Sequence, residues 1–356
     1  MNRALSALLA IFAVSAGVIW LAGVKLADTT AILSSRLGLG AALGGILVLA
    51  IATNLPEIAI TVSAAMAGSL GVAVGNILGG IAIQTVVIAG MDMAMVERVP
   101  LTYRAASLTL VIEANLVIAV LIVAIMAAQM PETLIAARLT PGAVAIALLW
   151  IGGVWLISRA DHGLPWHDSS GNAPDTQEKP KGHSKTAKHD ALGGGSVMPV
   201  AAILAAAAIA TLVAGVLLER SGSAIASRIG MSGVLFGSTV LAAATALPEL
   251  STGITSVRMK DYQLAASDIL GGNAFLPVLL LLADLVSGHA VLPQAKASDI
   301  YLAGLGILLT CVYVAGLIFR PQRQVLRMGL DSLAVVFLYV LGIIGLFAVA
   351  SNQPGG

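Results

Sequence analysis

Charge is what this chain has least of. Only 10% of its 356 residues are Asp, Glu, Lys or Arg, whereas a soluble domain carries about a quarter. With 58% hydrophobic residues and a mean hydropathy of +0.97, no water-facing surface can be built at this length. A soluble enzyme is thereby excluded. The net charge of +1 offers no basic footprint, so a nucleic-acid partner is excluded as well. Cysteine is nearly absent: Cys311 stands alone in an apolar run, which rules out a disulfide framework or thiolate metal cluster and predicts a buried, inert thiol. What remains is a polytopic protein whose main partner is the lipid bilayer. It is predicted to be all-α, because an apolar segment in lipid must satisfy its own backbone hydrogen bonds.

Apolar stretches of spanning length fall at 4–27, 41–66, 72–91, 105–127, 141–158, 198–218, 233–257, 262–286, 299–319 and 330–350. Each is near the ~20 residues that a tilted helix needs to cross the hydrocarbon core, so ten transmembrane helices are expected. The first runs on to Val24 and reads as an uncleaved span rather than a signal peptide. Residues 159–197 differ from all the rest. They are polar, rich in Gly, Pro and Lys, and hold His162, His167, His183 and His189 at spacings that fit no ligand motif. This linker separates a first repeat, 1–158, from a second, 198–356.

The basic residues are distributed unevenly across those spans. One side receives thirteen: Arg36, Arg98, Arg104, Arg159, Lys179, Lys181, Lys185, Lys188, Arg258, Lys260, Arg320, Arg323 and Arg327. The other side receives five: Arg3, Arg138, Arg220, Arg228 and Lys296. Positive residues stay in the cytoplasm. The expectation is therefore a protein of a bacterial-type inner membrane with a cytoplasmic linker and both termini outside.

The halves are related in sequence. A shift of 192 residues aligns RLGLGAALGGILVLAIATNLPE (36–57) with RIGMSGVLFGSTVLAAATALPE (228–249), and VAVGNILGGIA (72–82) with LAASDILGGNA (264–274). Over 36–90 against 228–282 there are 19 identities in 55 positions. Five spans per half is odd, so the second copy must insert upside down. Two inverted five-helix repeats are an architecture of secondary transporters.

The polar residues left inside the membrane fall on this repeat. Glu57 and Glu249 lie mid-span, each after a proline, where a charge costs about 2.5–3.5 kcal/mol on insertion scales. The prolines are expected to free carbonyls near Ala52–Thr53 and Ala244–Thr245. Carboxylates, carbonyls and the hydroxyls of Thr53 and Thr245 are hard oxygen donors, suited to Na⁺ or Ca²⁺. Positions 76, 80 and 84 share one helical face, as do 268, 272 and 276. Asn76 and Gln84 are thus expected to face Glu57, and Asp268 to face Glu249. Asp92 and Asp284, also 192 apart, are expected as solvated span ends or as guides for ions at the mouth. Glu113 reads as a proton carrier or as the partner of Arg104 or a neighbouring helix. Lys25 and Asp28 are expected to reach for the interface.

The paired Thr-x-x-Pro-Glu and Gly-Asn/Asp-x-x-Gly-Gly motifs resemble the two alpha repeats of the sodium/calcium exchanger family, within the cation/calcium exchanger superfamily. The usual forms there are Gly-Thr-Ser-x-Pro-Glu and Gly-Asn-x-x-Gly-Ser-Asn-x-x-Asn/Asp. The resemblance implies antiport of Na⁺ or H⁺ against Ca²⁺, with no cofactor beyond the transported cations and no enzymatic activity. It implies that Glu57 and Glu249 are ligands, joined by Thr53 and Thr245. Asn54 and Ala246 replace the family serine, Gly80 and Gly272 a second serine, and Gln84 and Leu276 the late Asn/Asp. The cation set read here is therefore Glu57, Glu249, Thr53, Thr245, Asn54, Asn76, Gln84 and Asp268. Three further readings stay open: an exchanger of other cations with a degenerate calcium site, a non-transporting membrane sensor or interaction protein, and an intramembrane enzyme, for which no Gly-x-Gly-Asp, His-Glu-x-x-His or Gly-x-Ser-x-Gly motif is present.

Overall fold

A computed structural model describes residues 2–36, 51, 53–95, 99–133, 136–160, 197–231, 236–258 and 260–351. The linker histidines, Ala52 and residues 37–50 lie outside the described residues. The elements follow in order: α1 (Asn2–Arg36), α2 (Leu55–Met66), α3 (Leu70–Met93), the short α4 (Leu101–Ala105), α5 (Leu108–Ala127), α6 (Pro141–Ala160), α7 (Val197–Ile229), the short α8 (Ala242–Thr245), α9 (Leu247–Arg258), α10 (Tyr262–Phe275), α11 (Leu279–Ser287), α12 (Ala297–Phe319) and α13 (Leu330–Ser351). The only sheet among the described residues is a two-stranded hairpin, β1 (Gln324–Val325) with β2 (Met328–Gly329), leading into α13.

The chain is an all-α membrane protein. Eight described helical stretches are long and apolar enough to cross a bilayer, and the bent pair Gly237–Thr245 and Leu247–Arg258 makes a ninth. The expected second span is represented by the shorter α2, because the residues before it are not described. α1 and α7 run well past the expected 4–27 and 198–218, to 35 and 33 residues. Polar residues such as Asp28 and Arg220 end the apolar run without ending the helix, since neither breaks the backbone hydrogen-bond ladder. The expected 262–286 span is one path but not one helix: at Pro277, which supplies no N–H, α10 passes through a tight turn, Leu276–Val278, into α11.

Burial sorts the helices into a core and a rim. The α3 span is 89% buried inside the protein, whereas those of α1, α6, α7 and α13 are 17–22% buried. A helix that is apolar all round and also buried is an interior helix, so α3 and its counterpart α10–α11 form the centre, with α5 and α12 packed on them. Cys311 on α12 is exposed rather than buried. In a spanning helix that face meets lipid, which solvates a thiol as readily as a protein core does.

The 192-residue shift extends to the helices themselves. α2 and α9 begin and end 192 apart, and α3 and α10 begin 192 apart. Contacts between the halves are reciprocal under the same shift. Gly23 packs on Pro248 while Gly215 packs on Pro56, and Gly80 faces Leu276 while Gly272 faces Gln84. Such i-to-j and j-to-i pairing is the mark of a two-fold relationship. The glycines matter here because a Cβ at Gly23 or Gly215 would collide with the facing proline or its neighbours, so α1 and α7 can approach the proline-led helices only without one.

Candidate cation-binding site

Two helix breaks create the site. Asn54 (φ −86, ψ 12) and Ala246 (φ −78, ψ 0) depart from helical geometry just before Leu-Pro-Glu. The segment before Ala246 meets α9 at a 44° bend. Proline is tolerated in a first helical turn because its missing N–H has no partner there anyway, so Pro56 and Pro248 each start a new helix. Glu57 and Glu249 consequently sit in the first turns of α2 and α9, where unpaired N–H groups and the helix dipole favour a carboxylate. The helix N-termini add backbone N–H groups to the oxygen donors read from the sequence.

The carboxylates converge across the repeat boundary. Glu57 is fully buried and Glu249 is 1% exposed. Glu249 lies within electrostatic range of both Glu57 and Asp268. From α3, Gln84 Nε2 donates to Glu57 Oε1 at 3.5 Å, as the shared face of α3 predicts. The hydroxyl of Thr245, from the other repeat, stands beside the Glu57 carboxylate and donates to the carbonyl of Ala242 at 3.1 Å. On the second side, Thr252 Oγ1 lies 3.0 Å from Asp268 Oδ2 and 3.1 Å from the Glu249 carbonyl, tying α10 to α9. Thr53, Asn54 and Asn76 are buried with these groups. A Cβ on Gly272 would stand 3.1 Å from Asn54 Nδ2 and 3.9 Å from Gln84 Oε1, so the missing side chain at 272 leaves room for two amides.

Much of this polar surface is unspent. Glu57 Oε2, both oxygens of Glu249, Asp268 Oδ1, Gln84 Oε1 and both polar atoms of Asn76 have no hydrogen-bond partner among the described residues. Buried polar atoms are normally satisfied, so a concentration of unsatisfied oxygens at one level is where a cation would recover the lost solvation. Among the described residues no three His, Cys, Asp or Glu side chains converge closely enough to hold a metal by themselves. A cation here needs hydroxyls, amides and water beside the carboxylates.

Four residues near or around this site were not anticipated. Asn273 is fully buried and donates to Thr85 Oγ1 at 3.1 Å and to the Ile81 carbonyl at 3.5 Å, joining α10 to α3 beside the site. It follows Gly271-Gly272, at the asparagine of the Gly-Ser-Asn pattern, so the motif comparison held the clue. Thr85 and Thr252 carried no such signal, since their counterparts under the shift are Pro277 and Ile60. Glu219 on α7 is the fourth: it is buried and accepts from Ser63 at 3.0 Å and Ser223 at 3.1 Å.

Asp92 and Asp284 are not solvated ends; both are 1% exposed. Asp284 accepts from Thr140 Oγ1 at 2.6 Å and the Val291 amide at 2.9 Å. Asp92 accepts from the Leu101 amide at 2.7 Å and the Gly329 amide at 2.6 Å. They tie loops to the ends of the central helices, since a buried loop amide needs an acceptor. Glu113 accepts from Ser267 Oγ at 2.9 Å, the neighbouring-helix option. Lys25 and Asp28 are exposed.

Residues 7–159 and 199–348 match the sodium/calcium exchanger protein family, in two stretches that begin 192 residues apart. The chain belongs to that family. It is 25% identical over 302 residues to the inner membrane protein YrbG of Escherichia coli (strain K12), covering 84% of this chain and 85% of the relative. Its fold is that of the H⁺/Ca²⁺ exchanger CAX (TM-score 0.64, 14% identity, 98% of this chain and 82% of the other). The sodium-calcium exchanger NCX_Mj shares it too (TM-score 0.60, 16% identity, 96% and 99%).

Proposed function

We propose that this exchanger-family chain is a secondary-active cation antiporter that moves Ca²⁺ against Na⁺ or H⁺ by alternating access. The observation that carries the reading is the meeting of Glu57 and Glu249, buried at two related helix breaks and surrounded by unsatisfied oxygens. Two buried carboxylates this close repel one another unless cations or protons occupy the space between them. A divalent cation neutralises both at once; two monovalent ions or protons do the same separately. The same oxygens cannot serve both, so exchange follows from competition.

The proposed frame is ten spans in two inverted five-helix repeats, 1–158 and 198–356, with the linker 159–197 cytoplasmic and both termini outside. Glu57, Glu249, Thr53, Thr245, Asn54, Asn76, Gln84 and Asp268 supply the cation's oxygens, and no further cofactor takes part. α1 and α7, whose glycines pack on Pro248 and Pro56, are the elements that shift against the core to change access. The test is flux into proteoliposomes with Ca²⁺, Mn²⁺, Na⁺ and H⁺ gradients imposed singly. Normal transport by a Glu57→Gln, Glu249→Gln double variant would falsify the proposal.

A second reading, exchange of other cations without a calcium site, draws on a specific observation. Leu276 occupies the position of a family ligand and lies against Gly80, and no third acid completes a metal cluster among the described residues. Equal flux with Ca²⁺ present and absent would favour it.

A further inference from the structure

The two corners built on Asp92 and Asp284 are related by the 192-residue shift, yet they differ by one carboxylate. At the Asp284 corner, Thr140 and Val291 satisfy the acid, and the residue before Thr140 is Leu139. At the Asp92 corner the positions are Ser332, whose hydroxyl reaches Asp92, and Asp331. Closing such a corner therefore needs one acid, and Asp331 is surplus to it. Asp331 is 6% exposed and neither carboxylate oxygen has a hydrogen-bond partner among the described residues.

Asp331 and Asp92 both approach Gly329. Gly329 donates its amide to Asp92 Oδ2 at 2.6 Å, and its Cα carries no side chain on the face that Asp331 Oδ1 occupies. The other oxygen, Oδ2, lies against Gly316 near the C-terminus of α12, the negative end of that helix. Two more hydroxyls stand at the corner: Ser332, fully buried, and Tyr313, whose OH donates to Ser332 Oγ at 3.5 Å. Nearby arginines are engaged elsewhere. Arg327 donates to the Met95 carbonyl at 3.4 Å, and Arg320 donates to the Tyr103 carbonyl at 3.4 Å and stacks over that ring.

We propose that Asp92, Asp331 and Ser332 form a second, non-transporting site for a divalent cation, Ca²⁺ being the natural occupant of an oxygen-only donor set. Two carboxylates balance its charge, and water completes the shell. The site joins the end of α3, which carries Asn76 and Gln84, to the start of α13. Occupancy there clamps a central helix of the transport site from the arginine-rich end of the molecule. Because these residues are distinct from Glu57 and Glu249, the inference stands independently of which ions are exchanged.

The experiment is equilibrium binding of Ca²⁺ to purified Glu57→Gln, Glu249→Gln protein, with Tb³⁺ luminescence sensitised through Tyr313 as a second readout. One residual Ca²⁺ site is expected, weakened at least tenfold by adding Asp331→Asn and weakened again, to a lesser degree, by Ser332→Ala. Tyr313→Phe should lower Tb³⁺ emission while retaining Ca²⁺. No residual Ca²⁺ in the double variant overturns the inference. So does residual binding indifferent to both Asp331→Asn and Ser332→Ala. Ser332→Ala leaves both carboxylates in place, so it reads the site even if Asp331→Asn fails to fold.

Discussion

Gln84 donates from Nε2 to Glu57 Oε1 across 3.5 Å, from the middle of one central helix to the first turn of another. Its Oε1 has no partner among the described residues, so the amide can orient the carboxylate with one end and offer an oxygen with the other. The position equivalent to Gln84 in the second repeat is Leu276. Replacing Gln84 by Leu would make the repeats alike and remove both contributions. The expected result is an apparent cation affinity lower by about tenfold, or about 1.4 kcal/mol, with folding retained. Initial-rate flux in proteoliposomes across a range of cation concentrations measures it.

As the proposed cation ligands, Glu57 and Glu249 set function against stability. Both are buried within electrostatic range of each other, and removing such repulsion commonly stabilises a fold. In cation-free detergent, the Glu57→Gln, Glu249→Gln protein is expected to melt at a higher temperature than the parent. The parent is expected to gain thermal stability on adding its transported cation through mass action, whereas the double variant gains less. Thermal unfolding with and without added cations tests both statements.

Neighbouring glycines should respond differently to one methyl group. A Cβ on Gly79 would collide with the backbone of Ser238, whereas a Cβ on Gly80 would meet only Leu276 Cδ1 at 3.6 Å. Gly79→Ala is expected to destabilise the protein by about 1–3 kcal/mol, the usual cost of overpacking. Gly80→Ala should be neutral or slightly stabilising, because alanine is the better helix residue. Thermal melts of the two variants side by side decide it.

Thr140 and Asp284 tie the frame together and lie outside the proposed cation set. Their 2.6 Å hydrogen bond is buried, so Thr140→Val leaves a carboxylate oxygen short of a donor at about 1–3 kcal/mol. The expected outcome is a lower unfolding temperature with unchanged apparent cation affinity per folded molecule. A shift in affinity comparable to that of Gln84→Leu would place the corner in the ion path.

The central helices and the buried acids Glu57, Glu113, Glu249 and Asp268 were legible in the chain because lipid enforces a strict code. Long apolar runs announced the spans, and any carboxylate inside them stood out against the 10% of charged residues. The 192-residue repeat predicted helix boundaries as well as motifs, and α2 and α9 obey it to the residue. Less legible were the boundaries of α1 and α7, whose helices outlast their apolar runs, and the bend at Pro277. That Asp92 and Asp284 are buried and hold loops, and are not solvated span ends, is not legible, since nothing local says whether a loop will fold back over a span end.

Composition, period and repeat thus determined on their own that the chain is a helical membrane protein with acids at two related points. These depend on local hydrophobicity and on proline chemistry, which each segment carries with it. Tertiary structure decided which atoms meet. Only packing between the halves brings Thr245 of one repeat beside Glu57 of the other, and only the reciprocal glycine contacts let the two halves close around the site. The same holds for Asp331, one acid among 18 in the sequence, which becomes notable only where Gly329 places it beside Asp92. Contacts between residues of different halves are set by helix packing, and no window of the sequence contains both partners.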